Sequence, residues 1–297
     1  HINGVNLFDL PISIVEADEF DRSCHRLKPS AAIVTSVDAD HLDIYESRDA
    51  FNQAFVDFVE LVDDSKEYGP NIFINEDVEL RFAHSKTQSY GTHSTNQNRY
   101  SNIGIQDGRF HFEFDTKGRH ENYEIGLPGY HNIANATAAI SLCYQFLGIP
   151  LNDLKPALKS FKGVYRRFEF LVRNDQHVVI DDYAHHPTEL KQIIRSVKNL
   201  FPEKKLTAIF QPHLFSRTRD FAFEFAAELR EINVLRLLDI YPARETAIDG
   251  VNSHWLNSLI QKKDSMVVEK QELLQWIEEI KPELLLILGA GDIDTLR

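Results

Sequence analysis

The sequence predicts an α/β protein built on mostly parallel sheets, with a Rossmann-like second half. Three observations carry that prediction. Short apolar runs alternate with amphipathic stretches along the whole chain. Nearly every apolar run ends in acidic, histidine, glutamine or tyrosine side chains. No repeat or low-complexity tract breaks the rhythm. Alternation of this kind describes βα units, which assemble into a parallel sheet covered by helices.

Taken in order, residues 12–15 form a short apolar run ending in Glu16-Ala17-Asp18-Glu19, and residues 31–35 a second run ending near Asp40-His41. Residues 48–61 read as a helix, because Phe51, Phe55, Phe58 and Val62 recur at helical spacing. Residues 71–74 are a strand. Residues 99–114 alternate as paired strands do, with Asp107-Gly108 as their turn. Pro128-Gly129-Tyr130-His131-Asn132 opens an alanine-rich helix to about residue 146, and Gly148 follows as a helix-ending glycine. In the second half, residues 178–180 form a strand and residues 187–200 a helix with proline in its first turn. A strand at 206–210, a helix at 219–231 and a strand at 234–238 come next. Residues 284–288 form a late strand before Gly289-Ala290-Gly291. The domain boundary falls near residues 163–167, giving domains 1–164 and 165–297.

Composition narrows the function classes. The 297 residues are 43% hydrophobic and 26% charged, an ordinary globular balance with room for two cores. No apolar run approaches the ~20 residues of a membrane span, and the opening residues lack the pattern of a secretory leader. Two cysteines without a CxxC pair suit a reducing, cytoplasmic compartment. The net charge of −13 argues against nucleic-acid binding, yet local arginines and loop amides can hold phosphates.

Ligand sites of open α/β sheets lie outside the carboxyl ends of the strands. The residues there are Glu16, Asp18 and Glu19; Asp38, Asp40 and His41; Asp181, Asp182, Tyr183, His185 and His186; Gln211 and His213; Asp239 and Tyr241. That density of ionisable groups points to an enzyme. The first carboxylates suit magnesium, a hard cation that bridges to phosphates; alone, they read equally as a solvated acidic turn. In DDYAHHPTE (181–189) a helix start can attract an anion. The competing zinc site is disfavoured, because adjacent histidines do not readily share one tetrahedral metal. Gly289-Ala290-Gly291-Asp292-Ile293 is either a phosphate-cradling turn or a tight turn, and it lacks the full dinucleotide fingerprint.

In order, EADEFDRS (16–23), DADHLDIY (38–45), PGYHNIANA (128–136), YRRFEF (165–170), DDYAHHPTEL (181–190), FQPHLFSRTRD (210–220), DIYPARE (239–245) and GAGDI (289–293) resemble the Mur ligase family. FQPHLFSRTRD and DIYPARE are most similar to its L-alanine-adding members. The resemblance implies the remainder of a P-loop-type central ATPase domain followed by a Rossmann-like domain that binds the amino acid. It implies an ATP- and magnesium-dependent ligase joining L-alanine to UDP-N-acetylmuramate through an acyl phosphate, in cytoplasmic peptidoglycan precursor synthesis, as a monomer or weak homodimer. Glu16 and His41 would hold magnesium near the moving phosphoryl. Asn132 and Asn135 would hold adenine, Arg167 the γ-phosphate and Asp182 the ribose. Tyr183, His185, His213 and Arg217 would surround L-alanine and the substrate carboxylate, with Glu16, His41, Arg167 and His185 as the catalytic set. The chain departs from the family pattern. It contains no Gly-Lys-Thr or Gly-Lys-Ser loop and no UDP-binding domain, so by itself it is expected to be inactive. Leu214 replaces an arginine of some relatives. The alternatives are a recycling ligase that attaches a peptide, an inactive binding fragment and an NAD-dependent enzyme.

Overall fold

A computed structural model describes residues 2–7, 10–18, 22–37, 45, 47–63, 69–106 and 108–296. Two compact units emerge: residues 1–104, 111–124 and 133–159 form one, and residues 105–110, 125–132 and 160–297 the other.

The chain begins with β1 (Ile2–Leu7) and β2 (Leu10–Val15), an antiparallel pair with Ile2 opposite Val15. The sequence foresaw β2 but not its partner. The two strands are separated by two residues, which suits a hairpin, whereas parallel neighbours need a crossover of roughly a dozen or more. Next come β3 (Ala32–Val34), α1 (Arg48–Glu60), β4 (Ile72–Asn75), β5 (Thr87–Gly91), β6 (Asn98–Gln106), β7 (Arg109–Thr116), β8 (Arg119–Ile125), α2 (Tyr130–Gln145) and α3 (Leu151–Ser160). Strands β3 to β8 form one sheet in chain order, with β3, β4, β5 and β6 parallel.

Period-two alternation along β4 gives this sheet its two faces. Ile72 and Ile74 join Val34, Val59 and Val62, with Phe55 and Phe58 of α1 packed against them. Phe73, between them in sequence, joins Tyr90 with Ala134 and Ala138 of α2. Helix α1 starts where the Ser47 side chain accepts a hydrogen bond from the Ala50 N–H at 3.1 Å, an N-cap the helical spacing alone did not reveal.

The second unit continues with β9 (Glu169–Arg173), β10 (Val178–Asp182), α4 (Pro187–Leu200), β11 (Leu206–Phe210), α5 (Phe215–Asp220), α6 (Ala222–Leu229), β12 (Val234–Leu237), α7 (Ser253–Ile260), β13 (Ser265–Val267), α8 (Leu273–Ile280) and β14 (Leu284–Leu288). Its sheet runs β13-β12-β11-β14-β10-β9 and is parallel except for edge strand β9. The single helix expected at 219–231 is two helices. They part at Phe221, whose φ of −115° and ψ of 24° leave the helical region and whose ring meets His186 edge-on at 4.7 Å.

Strand β14 is buried at all five positions, as a central strand covered on both faces must be. It lies between β10 and β11, so the last strand in sequence parts two that follow each other. Such a reversal of strand order leaves a crevice at the carboxyl ends, where α/β proteins bind ligands.

Candidate active site

Three carboxyl ends meet at that crevice. Asp181 and Asp182 end β10, Gly289 follows β14, and Gln211 follows β11. Gln211 fills the turn after β14. Its Nε2 donates to Asp292 Oδ1 at 2.8 Å, and its Oε1 accepts from the Ile293 N–H at 3.0 Å. A Cβ on Gly289 would lie 2.6 Å from the Gln211 carbonyl oxygen, and one on Gly291 2.7 Å from the Tyr241 ring. These glycines therefore serve close packing of protein on protein, which decides for the tight turn over the phosphate cradle.

Arg166 and Arg167 are adjacent in sequence, yet the fold gives them different surroundings. Arg166 is buried, with Nε 3.3 Å from Asp181 Oδ2 and a terminal nitrogen donating to the Gly289 carbonyl oxygen. Arg167 is about half exposed, 3.4 Å from Glu189 Oε1 and over the Tyr183 ring at 5.3 Å. The backbone here is bent. Arg166 and Phe168 have φ of 55° and 51°, the left-handed region that costs a non-glycine residue about 1 kcal/mol or more. Hydrogen bonds hold it: Phe168 N–H to Asp182 Oδ2 at 2.7 Å, Arg166 N–H to Glu169 Oε2 at 2.9 Å, and Tyr183 N–H to the Arg166 carbonyl at 2.7 Å.

Asp182 also accepts from the Ala184 N–H at 2.9 Å. Burial nevertheless pushes its carboxyl up to about 6, against the pull of both backbone N–H groups and Arg167. The folded state thus binds this proton more tightly than the unfolded chain does. Its contribution to stability is present in full below about pH 4 and is lost as pH rises through about 6, a swing on the order of 3 kcal/mol. Urea midpoints compared between wild type and Asp182→Asn from pH 4 to 7 should show wild type losing ground over that window. The slope is the readout, because asparagine also forfeits one backbone hydrogen bond at every pH; parallel curves would contradict it.

From Tyr183 a line of rings crosses the carboxyl edge. Tyr183 meets His185 at 5.3 Å, His185 meets His213 at 5.8 Å, and His213 stacks on Tyr241 at 5.7 Å and 16°. Buried Arg217 closes the group, its Nη1 3.3 Å from His213 Nδ1. The loops after β11 and β12 are zipped together beneath it. Leu214 N–H donates to the Tyr241 carbonyl at 2.9 Å, and Tyr241 N–H to the Pro212 carbonyl at 2.8 Å. Leu214 pays for this with a φ of 69°. Four residues chosen from sequence, Tyr183, His185, His213 and Arg217, therefore stand together.

Two carboxylates in this edge had no role assigned from sequence. Glu189 accepts from the His185 and His186 N–H groups at 2.8 and 3.1 Å and lies 3.3 Å from His185 Nδ1. Burial raises its proton affinity, but His185, Arg167 and the two N–H groups outweigh burial and hold it below the usual carboxylate range. The signal was present: His186 is the N-cap of α4 and Glu189 stands three positions on, the spacing of a capping box. Glu245 accepts from the Ser216 N–H at 2.9 Å and from its hydroxyl. No local pattern marks that pair, which is 29 residues apart. His186 itself caps α4 and packs on Phe221, whereas His185 faces His213, so the adjacent histidines have different surroundings.

In the first unit Glu16 and Asp18 are exposed just past β2. Glu19, Asp38, Asp40 and His41 lie outside the described residues. On α2, Asn132 is buried and donates to the Pro128 carbonyl at 2.6 Å, while Asn135, one turn on, is exposed.

Two family models match the chain: the Mur ligase middle domain over residues 11–143 and the Mur ligase glutamate ligase domain over residues 166–291. UDP-N-acetylmuramate–L-alanine ligase of Flavobacterium psychrophilum is 42% identical over 286 residues, covering 96% of this chain and 62% of that protein. The enzyme of the same name from Porphyromonas gingivalis is 42% identical over 292 residues, with 95% and 62% covered. Among solved structures, the UDP-N-acetylmuramate-alanine ligase MurC of Thermotoga maritima superposes with a TM-score of 0.77 at 25% identity, over 97% of this chain and 62% of that one. The chain spans about three-fifths of the length of the curated relatives it matches.

Proposed function

This chain belongs to the Mur ligase family, and from that premise we propose that it is the part of an ATP-dependent ligase that joins L-alanine to UDP-N-acetylmuramate in the cytoplasm. The observation that carries this reading is the cluster of Tyr183, His185, His213 and Arg217 at the carboxyl edge of β10 and β11. A free amino acid brings a carboxylate and an ammonium group. Buried Arg217 offers the first a fork of N–H donors, and the imidazoles offer the second a proton acceptor. No helix among the described residues is long and apolar enough to cross a membrane.

A carboxylate is a poor acyl donor, because oxide would have to leave; phosphorylation makes phosphate the leaving group. The protein's task is then to position the reactants and stabilise charge around the moving phosphoryl. Half-exposed Arg167 presents a guanidinium at the same edge, suited to the γ-phosphate. Asp182 has one lone pair left on each oxygen, where ribose hydroxyls would donate, and Asn132 and Asn135 would hold the adenine. Exposed Glu16 has the oxygen-donor chemistry magnesium prefers. With His41, which lies outside the described residues, it would hold that ion, whose chemistry is to neutralise phosphoryl charge.

The test is ADP release by the complete ligase supplied with ATP, magnesium and UDP-N-acetylmuramate. Release should depend on L-alanine and be far weaker with L-glutamate, D-alanine or an L-Ala-D-Glu peptide. Preference for the peptide would replace this reading with that of a recycling ligase.

A further inference from the structure

Two acceptors face His185 Nδ1. Its Nδ1 is 2.9 Å from the Tyr183 carbonyl oxygen and 3.3 Å from Glu189 Oε2. Neither oxygen carries a proton: one is a carbonyl, and the other belongs to a carboxylate held ionised by its neighbours. The contact is favourable only if Nδ1 bears the hydrogen. In a neutral imidazole the lone pair then belongs to Nε2. Groups facing this ring include Tyr183 and Glu189 on its own segment and His213 after β11. Arg217 and Tyr241 stand behind His213, and Arg167 reaches Glu189 from the segment before β9.

We propose that Glu189 is a positioning residue which, with the Tyr183 carbonyl, fixes His185 in the Nδ1–H form, so that Nε2 is the base that deprotonates the incoming amino acid. For its chemistry the proposal rests on the amide-forming reading of the site. His185 Nε2 takes one proton from the ammonium group and becomes imidazolium, which Glu189 stabilises. The freed amine lone pair forms the C–N bond to the acyl-phosphate carbon. As the tetrahedral adduct collapses, the C–O bond to phosphate breaks, and hydrogen phosphate carries off the second nitrogen proton. The same carboxylate also reaches Arg167 at 3.4 Å, so one side chain orients both the proposed phosphoryl-binding cation and the base.

The test is a long-range proton–nitrogen correlation spectrum of the complete ligase with ¹⁵N-histidine at pH 8, the His185 signals being identified by their loss in His185→Gln. Nδ1 should be the protonated nitrogen. Glu189→Gln keeps an oxygen for the two backbone N–H groups but loses the charge. It should move His185 toward the Nε2–H form and lower kcat by roughly 10- to 100-fold; Glu189→Asp should recover part of the loss. A dominant Nε2–H form in wild type overturns the proposal, as does an unchanged spectrum and kcat in Glu189→Gln. If Glu189→Gln does not fold, the wild-type spectrum decides alone. Absence of L-alanine-dependent turnover in wild type counts against the proposed function and leaves the tautomer result standing.

Discussion

Replacing Arg217 with lysine in the complete ligase should raise the KM for L-alanine roughly 30-fold, equivalent to about 2 kcal/mol for a hydrogen-bonded charge pair, while the KM for ATP stays within about twofold. The reason is the shape of the donor. Arg217 is only 5% exposed and has one terminal nitrogen 3.3 Å from His213. A guanidinium can keep that contact and still present a second edge to a carboxylate; an ammonium is a point charge and cannot do both. The backbone beneath is fixed by the Leu214–Tyr241 zipper and the Ser216–Glu245 tether, so it cannot shift to bring a shorter group into place. Steady-state kinetics with each substrate varied in turn decide the matter. Equal Michaelis constants for wild type and Arg217→Lys would remove Arg217 from the amino-acid site.

The largest loss of stability is expected at Asp181. Asp181→Ala leaves the Arg166 guanidinium buried without its counter-charge, and breaking a buried pair in this way costs roughly 3–5 kcal/mol. Asp181 is fully buried and Arg166 is 5% exposed, so water does not replace the lost partner. The chain's two tryptophans, Trp255 and Trp276, both belong to the second unit, so their fluorescence follows that unit's unfolding. The urea midpoint of Asp181→Ala should fall well below that of wild type. Changing both partners to leucine should recover much of the loss, since the cost lies in the stranded charge. A midpoint unchanged in the single variant would mean that Arg166 finds another counter-charge, Asp294 at 3.8 Å being the nearest candidate.

The sequence by itself determined the βα rhythm, the buried central strand and the family. Each depends on local order: LLLIL at 284–288 is an unbroken apolar run short enough to be a buried strand, and DDYAHHPTEL or FQPHLFSRTRD is a contiguous signature. It also picked out Tyr183, His185, His213 and Arg217, because residues that follow parallel strands share one edge whatever the strand order. What it left undecided is which polar side chains near that edge are buried against the protein and which stay exposed. Arg166 and Arg167 are neighbours in sequence with the same chemistry. One is buried because β14 returns between β10 and β11 and brings the Gly289 carbonyl, 123 residues away, to its guanidinium. The same return sets Gln211 against Asp292 and turns GAGD into a packed turn. Glu245 reaches Ser216 only because β11 and β12 are adjacent in register. These contacts join residues 29 to 123 positions apart. Nothing local favours them, and only the closing of the sheet brings their partners within hydrogen-bonding distance.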